Sequence, residues 1–145
     1  MKIVIGSDHG GFHLKEQIKE FLTAQGIEIL DCGTFSTDSV DYPDYACKVA
    51  QAVVAGEAER GILICGTGIG VSIAANKIAG IRAALCGDTF SAQMCREHND
   101  ANILCMGERV IGPGLAEKIV ETYLHSSFQG GRHQRRVDKI KQLEK

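Results

Sequence analysis

Short apolar runs alternate with longer amphipathic stretches along the chain. The first run, Lys2 to Gly6, is rich in β-branched residues and predicts a buried strand. From about Phe12 to Ala24 the period changes: Leu14, Ile18, Phe21 and Leu22 share one helical face, lysines and glutamates take the other, and Gly26 ends the helix. Ile27 to Leu30 predicts strand two, and the polar segment Gly33 to Asp44 the longest loop. Pro43 suits the first turn of a helix whose inward positions are Ala46, Val49, Ala50, Val53 and Val54, closed by Gly56. Ile62 to Ile64 predicts strand three and Ile69 to Ile78 a helix of small and apolar residues. Strand four follows at Ile81 to Cys86, a helix at Thr89 to about His98, and strand five at Asn102 to Met106. Pro113 opens a helix to about His125, and Gly130-Gly131 separates it from a last helix, Arg132 to Leu143.

Alternating strands and helices call for a parallel sheet with helices on both faces. The predicted architecture is α/β, a three-layer doubly wound (Rossmann-like) domain with a five-stranded parallel sheet, covering residues 1–145 as one domain. In such folds chemistry collects at the carboxyl ends of the strands. Asp8 and His9 follow strand one, Cys65 to Gly70 strand three, Asp88 strand four, and Glu108 and Arg109 strand five. His98, Asn99 and Asp100 precede strand five and belong at the opposite edge, so a second subunit must bring them if they work in the same crevice.

The stretch from Arg60 to Ala75 carries the densest chemical signal. An apolar strand ends in Cys65 and opens into Gly66, Gly68 and Gly70 before a helix begins. Backbone N–H groups at a helix start have no intrahelical acceptor, and glycine lets an anion approach them, so the loop is a candidate anion site with a thiol beside it. The positive helix end favours thiolate over thiol, which suits Cys65 to act as a base. Other readings stay open. Thr67 serves equally well as a turn residue, Asp8 as a helix cap, and His9 and His98 as surface or capping histidines.

Composition narrows the setting. A net charge of −2 over 145 residues gives no electrostatic case for nucleic acid or an anionic membrane. The N-terminal apolar run is too short for a signal peptide or a membrane span, so the chain is read as cytoplasmic. The six cysteines, at 32, 47, 65, 86, 95 and 105, form no C-x-x-C, and five of them read as small buried hydrophobes. Cys95-x-x-His98 lacks the partners that a zinc site needs, and no metal is expected.

With these segments assembled, the sequence resembles the ribose-5-phosphate isomerase B family, which also includes galactose-6-phosphate and allose-6-phosphate isomerases. The resemblance rests on G-S-D-H-G-G at Gly6 to Gly11, D-Y-P-D-Y-A at Asp41 to Ala46, and I-C-G-T-G-I-G at Ile64 to Gly70. R-E-H-N-D-A-N at Arg96 to Asn102 and G-G-R-H-Q-R-R-V at Gly130 to Val137 complete it. It implies interconversion of an aldose phosphate and its ketose through an enediolate, without cofactor or metal. The implied assembly is a homodimer, or a tetramer, with sites between subunits. Carried onto this chain, it makes Cys65 the base at C2, Thr67 and His98 the ring openers, and Asp8 and Asn99 holders of hydroxyls. His9, Arg132 and Arg136 match a phosphate clamp, with Arg109 a further candidate, and the amides of Gly66, Thr67, Gly68, Ile69 and Gly70 match the enediolate site. Ribose 5-phosphate is the expected substrate, a step of the pentose phosphate pathway, with allose 6-phosphate or galactose 6-phosphate as the alternatives.

The residues support that chemistry on their own terms. Taking a proton from a carbon next to a carbonyl builds charge on oxygen, and fixed donors at such an oxygen are worth about 2.7–4 kcal/mol each in other enzymes. Arg132 and Arg136 stand four apart, on one side of a helix whose Val137, Ile140 and Leu143 form an apolar stripe fit to dock on a neighbouring subunit. Two rival enzymatic readings fail at one position. A dinucleotide fingerprint needs glycine or alanine at 71, and a C-x5-R phosphatase loop needs arginine there, whereas the chain has Val71. A noncatalytic sugar-phosphate-binding module remains; turnover, as against binding alone, separates it from an isomerase.

Overall fold

The computed structural model of the chain describes residues 1–144. Five strands, β1 (Lys2–Ser7), β2 (Glu28–Asp31), β3 (Arg60–Cys65), β4 (Ala83–Leu85) and β5 (Ile103–Gly107), form one parallel sheet in the order β2-β1-β3-β5-β4. Six helices connect and follow them: α1 (Phe12–Thr23), α2 (Tyr42–Val54), α3 (Ile69–Ala75), α4 (Thr89–Glu97), α5 (Pro113–His125) and α6 (Arg132–Lys141). The α/β doubly wound architecture read from the sequence is the one present.

Strand order decides where the helices lie. The chain steps from β1 outward to β2, then reverses past β1 to β3, and right-handed crossovers put α1 on one face of the sheet and α2 on the other. From β3 it steps past the β5 position to the far edge at β4 and then returns, so α3 joins α2, and α4 joins α1. The two cores reflect this. Ile3, Ile5, Ile62, Ile64, Leu104 and Met106 pack with Leu14, Ile18, Ala92, Ile119 and Tyr123, while Val4, Leu63, Cys65, Ile103 and Cys105 pack with Val49, Ala50, Val71 and Ala75. Side chains alternate between faces along every strand, as a sheet covered on both sides requires.

Three elements are at least two residues shorter than the sequence predicts. Helix α3 stops at Ala75 instead of Ile78, and β4 spans Ala83–Leu85 instead of Ile81 to Cys86. Asn76 explains both. Its side-chain amide donates to the Ala83 carbonyl at 2.9 Å and accepts the Ala83 N–H at 2.8 Å, standing in for a neighbouring strand on the free edge of the sheet. Ile81 is diverted into a turn, its N–H donating to Ile78 O. Helix α6 ends at Lys141 instead of Leu143; it lies on its own chain through buried His133 and Val137 and leaves Ile140 and Leu143 exposed.

Candidate active site

The chain reverses direction between β1 and β3, so the carboxyl ends of those two strands flank the crevice where α/β sheets bind ligands. Cys65 ends β3 and is buried, and the Gly68 N–H donates to its Sγ at 3.1 Å. Gly68 has φ +82° and no room for a side chain: a Cβ there would lie 2.5 Å from Leu85 Cδ1 and 2.8 Å from the Met106 carbonyl carbon. Thr67 Oγ1 accepts the Ile69 N–H at 3.2 Å, which leaves the next first-turn amides of α3, Gly70 and Val71, without a partner among the described residues. Ile69 is exposed, and Gly70 lies against the Tyr42 ring, where a Cβ would approach to 2.5 Å.

The loop after β1 packs on this cradle. Asp8 is buried and its Oδ1 accepts the Gly11 N–H at 3.1 Å, capping a short 3₁₀ turn over His9–Gly11. Gly10 sits where a Cβ would be 3.3 Å from Gly66 N, so the turn lies directly against the glycine loop. His9 Nδ1 accepts the Val40 N–H at 3.2 Å, and the proton of the neutral ring therefore resides on Nε2, free to be donated. The segment bearing Val40 is tied down at its start by paired bonds, Ser7 N–H to Gly33 O and Thr34 N–H to Ser7 O, both 2.7 Å. Asp31 anchors the same bend by accepting the Gly33 N–H; burial would raise its carboxyl, but bonds from Lys15, Gly33 and Lys19 outweigh that and hold it below the usual carboxylate range.

The loop after β5 closes the third side. Glu108 N–H donates to Cys65 O at 2.9 Å and Arg109 N–H to Gly66 O at 3.0 Å. Gly107 permits that approach, since a Cβ would lie 2.5 Å from the carbonyl carbon and oxygen of Thr67. Arg109 is exposed, with its guanidinium against Gly66. The carboxyl-end crevice thus assembles Asp8, His9, Cys65, Gly66, Thr67, Gly68, Ile69, Gly70 and Arg109.

His98, Asn99, Arg132 and Arg136 lie elsewhere. His98 caps the end of α4 and stacks on His133 with ring centroids 4.1 Å apart. The turn beyond it belongs to the amino end of the sheet, because Asn102 O accepts the N–H of Gly61, at the start of β3. A six-residue strand separates this end from Cys65, about 17 Å at the usual rise per residue. Asp100 holds the turn at φ +48°; its carboxylate pairs with Arg96 at 2.9 Å, and its carbonyl takes bonds from Arg82 Nε at 3.1 Å and from the outer guanidinium nitrogen at 2.9 Å. Arg132 and Arg136 project from the first two turns of α6 into solvent. Desolvation, with His98, Arg132 and Arg136 close by, pushes His133 below its ordinary value. Asn99 opens on a groove of 770 Å³ lined by Asn76, Lys77, Arg82, Ile140 and Leu143 among others.

Sequence reasoning gave no role to Tyr42, Gly107 or His133, and none to Asp100 beyond its place with His98 and Asn99 at the opposite edge. Tyr42 and His133 sit inside the D-Y-P and G-R-H segments, and Gly107 was visible as a glycine ending a strand; Asp100 at positive φ left no mark beyond an N-D dipeptide. Among the described residues no group of three or more His, Cys, Asp or Glu is arranged to hold a metal ion. No helix among them is long and apolar enough to cross a membrane.

Comparison with known proteins carries the geometry further. The ribose/galactose isomerase family matches residues 3–140. The chain is 53% identical to the ribose-5-phosphate isomerase B of Escherichia coli over 143 residues, 99% of this chain and 96% of that protein. It superposes on a ribose-5-phosphate isomerase B from Clostridium thermocellum with TM-score 0.98 at 60% identity, covering 99% of this chain and 97% of the other. For a ribose 5-phosphate isomerase from Thermotoga maritima the TM-score is 0.97 at 55% identity, covering 98% of each chain. Since the matched span runs through both ends of the sheet, from β1 into α6, the chain belongs to the ribose/galactose isomerase family.

Proposed function

We propose that this chain interconverts D-ribose 5-phosphate and D-ribulose 5-phosphate through an enediolate, with Cys65 as the base. The observation that carries the reading is the Gly68 N–H on Cys65 Sγ beside the unpartnered amides of Gly70 and Val71, which unites a thiol and fixed donors in one loop. In the opened sugar, sulfur takes the proton from C2, the C–H electron pair becomes the C1–C2 double bond, and the carbonyl pair moves onto O1. The loop amides stabilise that oxyanion. The proton is returned to C1 while the O2 proton passes to O1, giving the C1 hydroxyl and the C2 carbonyl, which balances the isomerisation.

The remaining residues divide the other tasks. Thr67 has its oxygen engaged as an acceptor and keeps its hydroxyl proton to give to the ring oxygen, with His98 as its partner in ring opening. Asp8 uses one carboxylate oxygen on Gly11 and has the second for a sugar hydroxyl, as Asn99 does from the other side. His9, through Nε2–H, joins Arg109, Arg132 and Arg136 on the phosphate. A separation of about 17 Å is too long for one sugar phosphate to bridge within a chain. The working unit is therefore a homodimer in which the cationic end of one subunit completes the crevice of the other, with the exposed Ile140 and Leu143 of α6 turned to the partner. Six free thiols fit a reducing, cytoplasmic setting.

The test has two arms. Values of kcat/KM for ribose 5-phosphate, allose 6-phosphate and galactose 6-phosphate should rank ribose 5-phosphate first. Binding without turnover of any of them would make the chain a sugar-phosphate sensor. Mixing inactive Cys65→Ala and His98→Ala chains should restore about a quarter of wild-type activity, because half the dimers are mixed and each has one intact site. No recovery despite confirmed subunit exchange would end the shared-site reading.

A further inference from the structure

Helix α1 has no cap of its own. Its N-cap residue is Gly11, which cannot carry a side chain: a Cβ there would lie 2.5 Å from Ile64 O. The missing acceptor comes from 94 residues away, where Glu108 Oε1 accepts the Leu14 N–H at 2.6 Å. The same Glu108 donates its backbone N–H to Cys65 O. One residue therefore binds α1 to the strand that bears the thiol, and the 3₁₀ turn carrying His9 lies between those two attachments, against Gly66.

We propose that Glu108 is a positioning residue: it clasps the start of α1 to the Cys65 loop and so sets the distance from the Asp8–His9 turn to the cradle. This rests on the isomerase reading above and adds a residue to it. Asp8 and His9 face the bound sugar phosphate, whereas Cys65 Sγ is held separately by Gly68. Losing the clasp consequently loosens substrate binding more than it disturbs the base. A glutamine in its place keeps an acceptor oxygen at the same reach. An aspartate keeps the charge and withdraws the oxygen by one carbon.

Glu108→Ala should raise KM for ribose 5-phosphate about tenfold, the scale of a lost cap, with kcat within about threefold of wild type. Glu108→Gln should stay within about twofold on both, and Glu108→Asp should side with alanine. Amide exchange at Leu14 should quicken in the alanine and aspartate variants and not in glutamine. In a His9→Ala background, Glu108→Ala should add little further to KM, because the turn's phosphate contact is already gone. An unchanged KM in Glu108→Ala overturns the proposal. So does a loss of kcat and melting temperature at constant KM, the mark of a structural role alone, and so does a glutamine variant as impaired as alanine. If Glu108→Ala does not fold, the aspartate variant carries the same tests. A wild-type chain without turnover strikes the isomerase reading instead; calorimetric binding of ribose 5-phosphate and Leu14 exchange then decide the clasp by themselves.

Discussion

The two ends of the sheet are built by different means. At the carboxyl end backbone N–H groups make the contacts: Gly68 on Cys65 Sγ, Glu108 on Cys65 O, Arg109 on Gly66 O, Gly11 on Asp8 and Leu14 on Glu108, with glycines 11, 68 and 107 where no Cβ fits. At the amino end Asp100, a non-glycine residue at positive φ, is held by the side chains of Arg82 and Arg96, and the cations Arg132 and Arg136 are long and exposed. Backbone fixes donors without entropy to lose at the moment of reaction, which suits the place where charge develops. Flexible cations suit a phosphate that must arrive and leave. The first design cannot absorb added volume; the second is sensitive to loss of a conformation or a charge.

Removing the proposed base should give the largest effect. Cys65→Ala is expected to lower kcat by about 10²–10⁴-fold, the usual worth of a positioned proton acceptor, while ribose 5-phosphate still binds within a few fold. Calorimetry and turnover on the same preparation check it, and retained turnover would remove Cys65 as the base. Next comes Gly107→Ala. The clash is with the Thr67 backbone, which cannot swing aside as a side chain tip can, so the loop must move at a cost of about 1–3 kcal/mol, with a parallel fall in kcat. Gly114, in the first turn of α5 with open space around it, is the control: alanine there should stabilise by up to about 1 kcal/mol. Equal melting temperatures for the two variants would mean that the carboxyl end tolerates volume after all.

What could be read beforehand follows the same division. Periodicity located all five strands and six helices, since each element buries a face, and the crevice followed from strand ends. The strand order at the far edge could not be read, because β4 is short and its free edge is satisfied by Asn76, a contact formed only once the chain has folded. Glu108 could be placed after strand five but its bond to Leu14 could not, for nothing in local sequence signals a cap supplied by a distant loop. Glycines that look alike in sequence differ in kind: Gly107 is required by a neighbour's backbone, Gly114 by nothing around it.

The smallest effect asks which force holds the amino-end turn. Asp100 has φ +48°, a conformation that costs an ordinary side chain about 1–2 kcal/mol and glycine almost nothing. Its carboxylate is about one-third exposed, and such ion pairs are worth roughly 0–1 kcal/mol. The backbone term should win. Asp100→Ala, losing both, should destabilise the turn most, and should raise KM through misplaced His98 and Asn99. Asp100→Gly and Asp100→Asn both suit the left-handed region, and each should lie closer to wild type than alanine does. Melting temperatures and KM for the three variants test the order. A glycine variant as poor as alanine would shift the weight to Arg82 and Arg96 and make charge, instead of conformation, what holds His98 and Asn99 in place.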